Sequence, residues 1–301
     1  MQKITDTFAC RTLFFIMSFS IGLWTIRIPT IRDQIQTDYL GIGYLMVTFA
    51  LGSIIAMIFA SRIIITISTK TILIYVSLLN WILWLPVPFV KNLETFMFLA
   101  FLFGICFGLF EICINLQATK IEARENKSMM SGFHAFWSLG VLVGSFLTSI
   151  YLQLQISILV NILIYVIIML PINLFFCFKL KEDQKNSDGN KKNIFFIWPI
   201  LIFLLAVIAM ANALTEGSVD SWGALYMKDF IQVKGFQVGI ATISFNIFMV
   251  LGRIYGDWFR DKLGVYKLLL ILMMITIISL IILINFNTVL YAILGFALLG
   301  L

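Results

Sequence analysis

Ten stretches of near-continuous hydrophobicity, most about twenty residues long, dominate this chain: 12–30, 41–60, 71–89, 95–117, 131–151, 156–178, 194–214, 236–256, 265–285 and 288–301. A bilayer's hydrocarbon core is ~30 Å thick and a helix rises ~1.5 Å per residue, so each full run matches one helical crossing. Inside lipid the backbone has no water to bond, which leaves helices or closed barrels as spanning forms. Barrel strands would be shorter and would alternate in polarity. The runs therefore predict nine complete helical spans and the start of a tenth. Composition closes off other classes: 61% of the 301 residues are apolar and 12% charged, against ~45–50% and ~25% in soluble domains. That leaves too little polar surface to coat a water-soluble globule. A soluble enzyme, a disordered chain and a disulfide-stapled secreted domain are excluded.

The four cysteines (Cys10, Cys106, Cys113, Cys177) sit in or beside apolar runs without metal-ligand spacing and read as small hydrophobic residues. Net charge is +6, but the basic residues lie in short loops rather than on one clustered face, so no nucleic-acid partner is expected. The run after Arg11 has no small-residue cleavage site behind it and is read as a retained first span. With the N-terminus placed in the cytoplasm, sixteen lysines and arginines fall on the cytoplasmic side. Only Arg27, Arg32, Lys91, Lys228 and Lys234 fall on the other, which is a strong positive-inside bias.

The longest hydrophilic stretch, Lys179 to Asn193, follows the sixth span and divides the chain into an N-terminal bundle (1–178), a cytoplasmic linker (179–193) and a partial C-terminal bundle (194–301). Shifting the chain by 196 residues lays Gly43 on Gly239, Phe49 on Phe245, Ser61 on Asp257 and Gly104 on Gly300. One offset serving spans 2 and 8 as well as 4 and 10 points to two similar bundles, a common transporter plan. A complete second half would run to about residue 385, so the expectation is a C-terminally truncated reading frame.

The clearest local motif runs from Gly252 to Gly264 (GRIYGDWFRDKLG) at the cytoplasmic end of span 8. Its glycines (Gly252, Gly256, Gly264) permit close backbone approach. Its charged residues (Arg253, Asp257, Arg260, Asp261, Lys262) can pair or cap helix ends as the loop turns. This resembles the signature loop between the second and third helices of the major facilitator superfamily, in its second-half copy. The first-half counterpart, Ala60 through Lys70, keeps basic residues but lacks the Asp and the glycines. The segments Trp24 to Arg32, Glu111 to Asn115, Ser131 to Gly140 and Glu216 to Trp222 are similar to bacterial inner-membrane permeases related to the fucose–proton symporters. The resemblance implies an all-α membrane protein of two pseudo-symmetric six-helix bundles, the second incomplete. It also implies a proton-driven, alternating-access carrier in the inner membrane. Fucose permeases carry an acid in the first span, where this chain has Thr25 near Arg27, so fucose itself is not expected as substrate.

Glu111 is the leading mechanistic residue. A charge at bilayer depth costs roughly 2.5–3.5 kcal/mol on insertion scales, so an intramembrane acid is a functional candidate by default. Glu111 lies some eight residues from the cytoplasmic end of its span, roughly 12 Å deep at the ~1.5 Å helical rise. Gly104, Gly108, Glu111 and Asn115 share one helix face by their spacing. In the related fucose permeases an acid at the matching place in this span is tied to proton coupling. The structural alternative is a carboxyl bonded to a neighbouring helix. His134, the one histidine, lies four residues into span 5 with Ser138 a turn on, and is either a proton relay or a helix-end hydrogen-bonding group. Gly140 and Gly144 form a close-packing pair. Asn246, in span 8, is a candidate for bonding a polar solute or another helix.

Glu216 and Asp220 follow Asn212 at helical spacing where span 7 is expected to leave the membrane, with Trp222 next. They are candidates for an outer gate, with Trp222 offering a face to a pyranose and Arg27 a candidate partner for Glu216. The alternative is a solvated outer loop with an interfacial Trp anchor. Trp81, Trp84, Pro86 and Pro88 read as a belt and a kink in span 3. There is no phosphate-cradling loop ending in Gly-Lys-Ser/Thr, no nucleophile elbow and no paired-histidine site, so neither ATP drive, cofactor, metal nor enzymatic activity is expected. The sequence predicts a monomeric, lipid-embedded carrier of a small polar solute, a sugar or related metabolite, coupled to protons. Two alternatives stand beside it: a non-transporting truncated remnant, and a proton-driven exporter of amphipathic compounds.

Overall fold

The computed structural model describes residues 5–182 and 200–301. The expected linker from 183 to 193, the first residues of the seventh run (194–199) and the side chain of Asp257 lie outside the described residues. Among the described residues ten α-helices follow one another: α1 Asp6–Gln34, α2 Tyr39–Thr66, α3 Thr69–Leu83, α4 Leu93–Glu125, α5 Met130–Gln153, α6 Ile158–Lys179, α7 Ile200–Leu225, α8 Ile240–Leu263, α9 Val265–Asn285 and α10 Val289–Leu299. Nine segments are long and apolar enough to cross a membrane, and no strand occurs among the described residues.

The helix starts are written in the sequence. Thr5, Asp38, Ser68, Asn92 and Ser157 each accept, through the side chain, a backbone N–H three residues on, satisfying a donor that the first turn leaves open. Span 3 departs from expectation. Its α-helix stops at Leu83, and Pro86 opens a short 3-10 turn, Val87–Phe89, so the prolines end the helix instead of kinking it. Trp81 and Trp84 are buried at 0% and 4% exposure, inside the protein and not in an interfacial belt. Span 7 departs further. Its helix passes the expected end at 214, continues to Leu225 and finishes in a π turn, Tyr226–Phe230. Its polar residues, of which Glu216 and Asp220 are half-buried, interrupt an apolar run, and that interruption reads in sequence as a helix end.

α1 packs along α5 and α2 along α4, while α3 lies against α4 and α6. α8 packs on α10 and α9 on α10, and the two parts of the chain meet along α5–α8 and α1–α7. The close contacts depend on missing side chains. A Cβ on Gly104 would collide with the Phe49 carbonyl oxygen of α2, and a Cβ on Gly300 would collide with the Phe245 carbonyl oxygen of α8. These are the two residue pairs that the 196-residue shift superposes. The repeat therefore extends to a shared backbone contact, the small-residue packing by which membrane helices approach one another. Buried side chains gather into two clusters, one centred on α1–α6 and a smaller one built from residues of α7–α10 and their connections.

Candidate functional site

The interior of the bundle holds a group of ionisable side chains from four helices. α4 supplies Glu111, whose Oε1 accepts a hydrogen bond from Asn115 Nδ2 at 2.9 Å; Asn115 also donates to the Glu111 carbonyl. α7 supplies Glu216 and Asp220, one turn apart. α8 supplies Arg253, whose Nη2 lies 3.5 Å from Glu216 Oε2. Arg253 Nη1 donates to the His134 carbonyl of α5 at 2.6 Å and also to Ser138 Oγ. Glu111 and Glu216 are close enough for their charges to interact, as are Glu216 and Asp220. Glu111 Oε2 and Asp220 Oδ1 are buried with no hydrogen-bond partner among the described residues. Three carboxyl groups and one guanidinium thus gather within the bundle, and the guanidinium pairs with Glu216.

Next to this cluster lies a cavity of about 240 Å³ between α1, α2, α3, α4 and α7. Its walls are aromatic, with Trp24, Phe49, Trp84, Phe96, Phe103 and Phe107, and beside the two indole N–H groups its polar lining is Ser20, Asn80, Asp220 and Ser221. Ser20 Oγ is already committed to the Met17 carbonyl at 2.7 Å. Asn80 Nδ2 and Trp84 Nε1 are buried donors without a partner among the described residues.

A polar network lies at the end of the bundle where α1 meets α2. Arg32 grips Asp229 of the π turn through both oxygens, Nη1 to Oδ2 at 2.5 Å and Nη2 to Oδ1 at 3.3 Å. Tyr39 Oη donates to Asp229 Oδ2 at 2.9 Å, and its ring sits under the Arg32 guanidinium at 5.3 Å. Lys228 Nζ reaches Asp33 Oδ2 at 2.6 Å. Two ion pairs and one hydroxyl so tie the α1–α2 turn to the end of α7. The π turn matters here, because π geometry is rare and is frequently found at functional sites.

The sequence-derived candidates fall into place unevenly. Glu111, Asn115, Glu216, Asp220, His134 and Arg253 converge. Glu111 lies within α4, which continues past the expected end at 117 to Glu125. Its partner is Asn115 on its own helix. Arg27 does not meet Glu216. It is 2% exposed and bonds Asn161 Oδ1 at 3.0 Å and the Ile156 carbonyl at 2.8 Å, joining α1 to α6. Glu216 and Asp220 are not outer-loop residues, since both lie within α7, half-buried on a helix that is otherwise largely exposed.

Arg253 is corrected in the same way: the helix delivers it inward to Glu216 and not to the loop. The His134 ring packs edge-on against Phe14 at 5.5 Å, and it is the backbone carbonyl that engages Arg253. Asn246, 2% exposed, donates to the Thr242 carbonyl of its own helix at 3.0 Å. Trp222 lies in a surface pocket with Tyr39, Tyr226 and Asp229, beside the tying network.

In the Gly252–Gly264 motif, Gly264 takes a left-handed φ of 77° at the α8–α9 turn. Gly256 has no atom within 4 Å of where its Cβ would stand, so close approach does not explain it. Arg260 pairs with Asp261, and Lys262 lies over the Trp258 ring at 4.8 Å. The residues that sequence reasoning missed are Arg32, Asp33, Tyr39, Lys228 and Asp229, together with the cavity aromatics. The one available signal was that Arg32, Asp33, Lys228 and Asp229 flank two turns on the same side of the predicted topology.

The family model described as Major Facilitator Superfamily matches residues 11–301. An uncharacterised MFS-type transporter of Yersinia pestis is 27% identical over 303 residues, covering 99% of this chain and 77% of its own length. Membrane protein MosC of Rhizobium meliloti is 24% identical over 283 residues, covering 90% of this chain and 65% of its own length. Among solved structures, the nucleoside transporter NupG superposes with a TM-score of 0.68 at 14% identity, over 99% of this chain and 79% of that one.

Proposed function

The chain belongs to the major facilitator superfamily, and from that premise we propose a proton-coupled carrier that moves a small solute by alternating access. The coupling ion binds at Glu111, Glu216 and Asp220. The observation that carries this reading is the ratio of three interior carboxyl groups to one guanidinium. Ionised side chains at this depth are expensive unless paired. Arg253 offsets one carboxylate, so the remaining charge calls for protons or a cation, and a change of partner as the helices shift converts proton binding into motion. The N-terminus and the basic loops lie in the cytoplasm and the bundle in the bacterial inner membrane, as the distribution of lysine and arginine supports.

The network of Arg32, Asp33, Tyr39, Lys228 and Asp229 serves as the outer gate in place of Arg27 and Glu216. Sugars and related metabolites are the solute class that the family resemblance implies. NupG, a nucleoside transporter by its title, shares the fold and does not assign a substrate here. A second reading, outward movement of amphipathic compounds, is favoured by the aromatic walls of the cavity.

The test is transport in proteoliposomes holding the full chain, with an imposed pH gradient, a panel of labelled solutes and an entrapped pH dye. A solute-dependent proton flux is expected. Glu111→Gln should abolish uphill accumulation while leaving solute exchange. Unchanged accumulation with Glu111, Glu216 and Asp220 all neutralised removes the cluster from the mechanism.

A further inference from the structure

We infer that the cavity is built for a small ring-bearing organic amine, an aromatic or heteroaromatic solute whose ammonium meets Asp220 and whose far edge offers an acceptor to Asn80 and Trp84. This deepens, and rests on, the reading of the chain as a carrier.

Size sets the first limit. At about 240 Å³ the cavity falls below the ~300–1,000 Å³ of pockets that take drug-sized ligands, and suits one ring or two fused rings. The walls set the second. Six aromatic side chains present flat faces for stacking, and the negative face of an aromatic ring attracts a cation.

The polar groups then discriminate among solute classes. An anion would meet the acid of Asp220 and no lining cation, because Arg253 stands outside the lining and is engaged by Glu216, His134 and Ser138. A sugar needs a hydrogen-bond partner for each hydroxyl, and beside two indole N–H groups only four polar side chains line the space, one of them already bonded to its own helix. A plain hydrocarbon would leave the polar groups unanswered, and a buried group without a partner is costly. Asn80 and Trp84, 3% and 4% exposed, contribute donors from α3, and Asp220 contributes an acceptor from α7. A solute with an acceptor at one end, a ring between and an ammonium at the other satisfies all three.

The experiment measures binding to the full chain in lipid nanodiscs with four indole probes: tryptamine, its neutral isostere tryptophol, the anion indole-3-acetate, and 5-methoxytryptamine, which adds a ring-edge acceptor. The inference expects tryptamine to bind at least tenfold more tightly than tryptophol, indole-3-acetate not to compete, and 5-methoxytryptamine to gain a further few-fold. Asp220→Asn should erase the preference for tryptamine, and Trp84→Phe the gain from the methoxy group, with both variants checked for an unchanged elution profile and melting curve. Where a variant fails that check, the ranking of the four probes on the unmodified chain decides alone.

Equal affinity for tryptamine and tryptophol, tighter binding of the anion, or no binding by any probe overturns the inference. The same preparations in pH-gradient vesicles separate it from the carrier reading. A proton-driven solute that amines neither match nor displace sinks the inference and leaves the carrier standing. Amine binding with no proton-linked flux of any solute does the reverse.

Discussion

The 196-residue shift sets α1 against α7, and the two helices answer each other with different chemistry. Ser20 and Trp24 of α1 correspond to Glu216 and Asp220 of α7. Ser20, Trp24 and Asp220 line the same cavity, and Glu216 stands a turn away holding Arg253. At the position equivalent to Arg253, the first half has Met57. The backbone plan is shared, as the Gly104–Phe49 and Gly300–Phe245 contacts show. Of these two matched helices, α1 thus contributes neutral wall and α7 contributes charge. A pseudo-symmetric frame needs its packing residues in both copies, whereas a binding site needs each functional group once.

Making the second half resemble the first is the harshest way to break this contrast. Arg253→Met strips Glu216 of its partner. Removing one member of a buried pair typically costs about 3–5 kcal/mol, and the expected loss here is somewhat smaller because each side chain keeps 22% exposure. A large fall in the melting temperature of the detergent-purified protein is expected. Arg253→Met with Glu216→Gln should recover most of it while remaining unable to accumulate solute. If the double variant melts as low as the single one, the pair is not what Arg253 stabilises.

How much of this was legible beforehand differs between frame and site. The spans and their repeat could be read because twenty-residue apolar runs and glycines at matched positions are local features of the chain. Glu111 could be read because a carboxyl inside an apolar run is conspicuous. Glu216 and Asp220 were visible as residues but misplaced, since a helix whose polar side faces other helices loses hydrophobicity just as a helix end does. Arg253 was assigned to a loop motif, and only the line of α8 through the bundle turns it inward. The outer network was invisible for a different reason. Arg32 and Asp229 are ordinary turn charges until a π turn, which no residue pattern announces, brings them together. The cavity aromatics were hidden because in an apolar run a phenylalanine facing solute and one facing lipid look alike.

The shared frame can be tested by adding one carbon. Gly104→Ala and Gly300→Ala each drive a Cβ into a facing carbonyl. Overpacking of this kind costs about 1–3 kcal/mol, and the two losses should be similar if the halves pack alike. Gly256→Ala is the counterpart, with open space where its Cβ would stand. Inside a helix that change should stabilise by about 0.5–1 kcal/mol. Melting curves of the three variants check the ranking. A harmless Gly300→Ala beside a damaging Gly104→Ala would show that the repeat is sequence likeness without common packing.

A smaller effect is expected at the outer network, where the groups are partly exposed and ion pairs are worth about 0.2–1 kcal/mol. Asp229→Asn weakens the grip of Arg32 and Tyr39 together. Opening toward that face should rise by about 1.4- to fivefold, by the relation of 1.4 kcal/mol to a factor of ten. The rate at which a Ser221→Cys thiol in the cavity reacts with an impermeant maleimide reads this out, over a low background because the four native cysteines are buried. Raised salt should mimic the substitution in the unmodified protein, since exposed pairs are screened over a Debye length of ~8 Å at physiological ionic strength.

The smallest change divides the network into its parts. Tyr39→Phe removes the hydroxyl that donates to Asp229 at 2.9 Å and keeps the ring beneath Arg32 at 5.3 Å. Tyr39 is 52% exposed, so water replaces the lost bond at little cost. Labelling of the Ser221→Cys thiol should rise by less than half as much as with Asp229→Asn. Tyr39→Ala, which removes the cation–π contact as well, should fall between the two. If Tyr39→Phe opens the protein as far as Asp229→Asn does, the hydroxyl and not the Arg32–Asp229 pair holds the two halves together at this end. The charge contributed by the second half would then serve the interior alone.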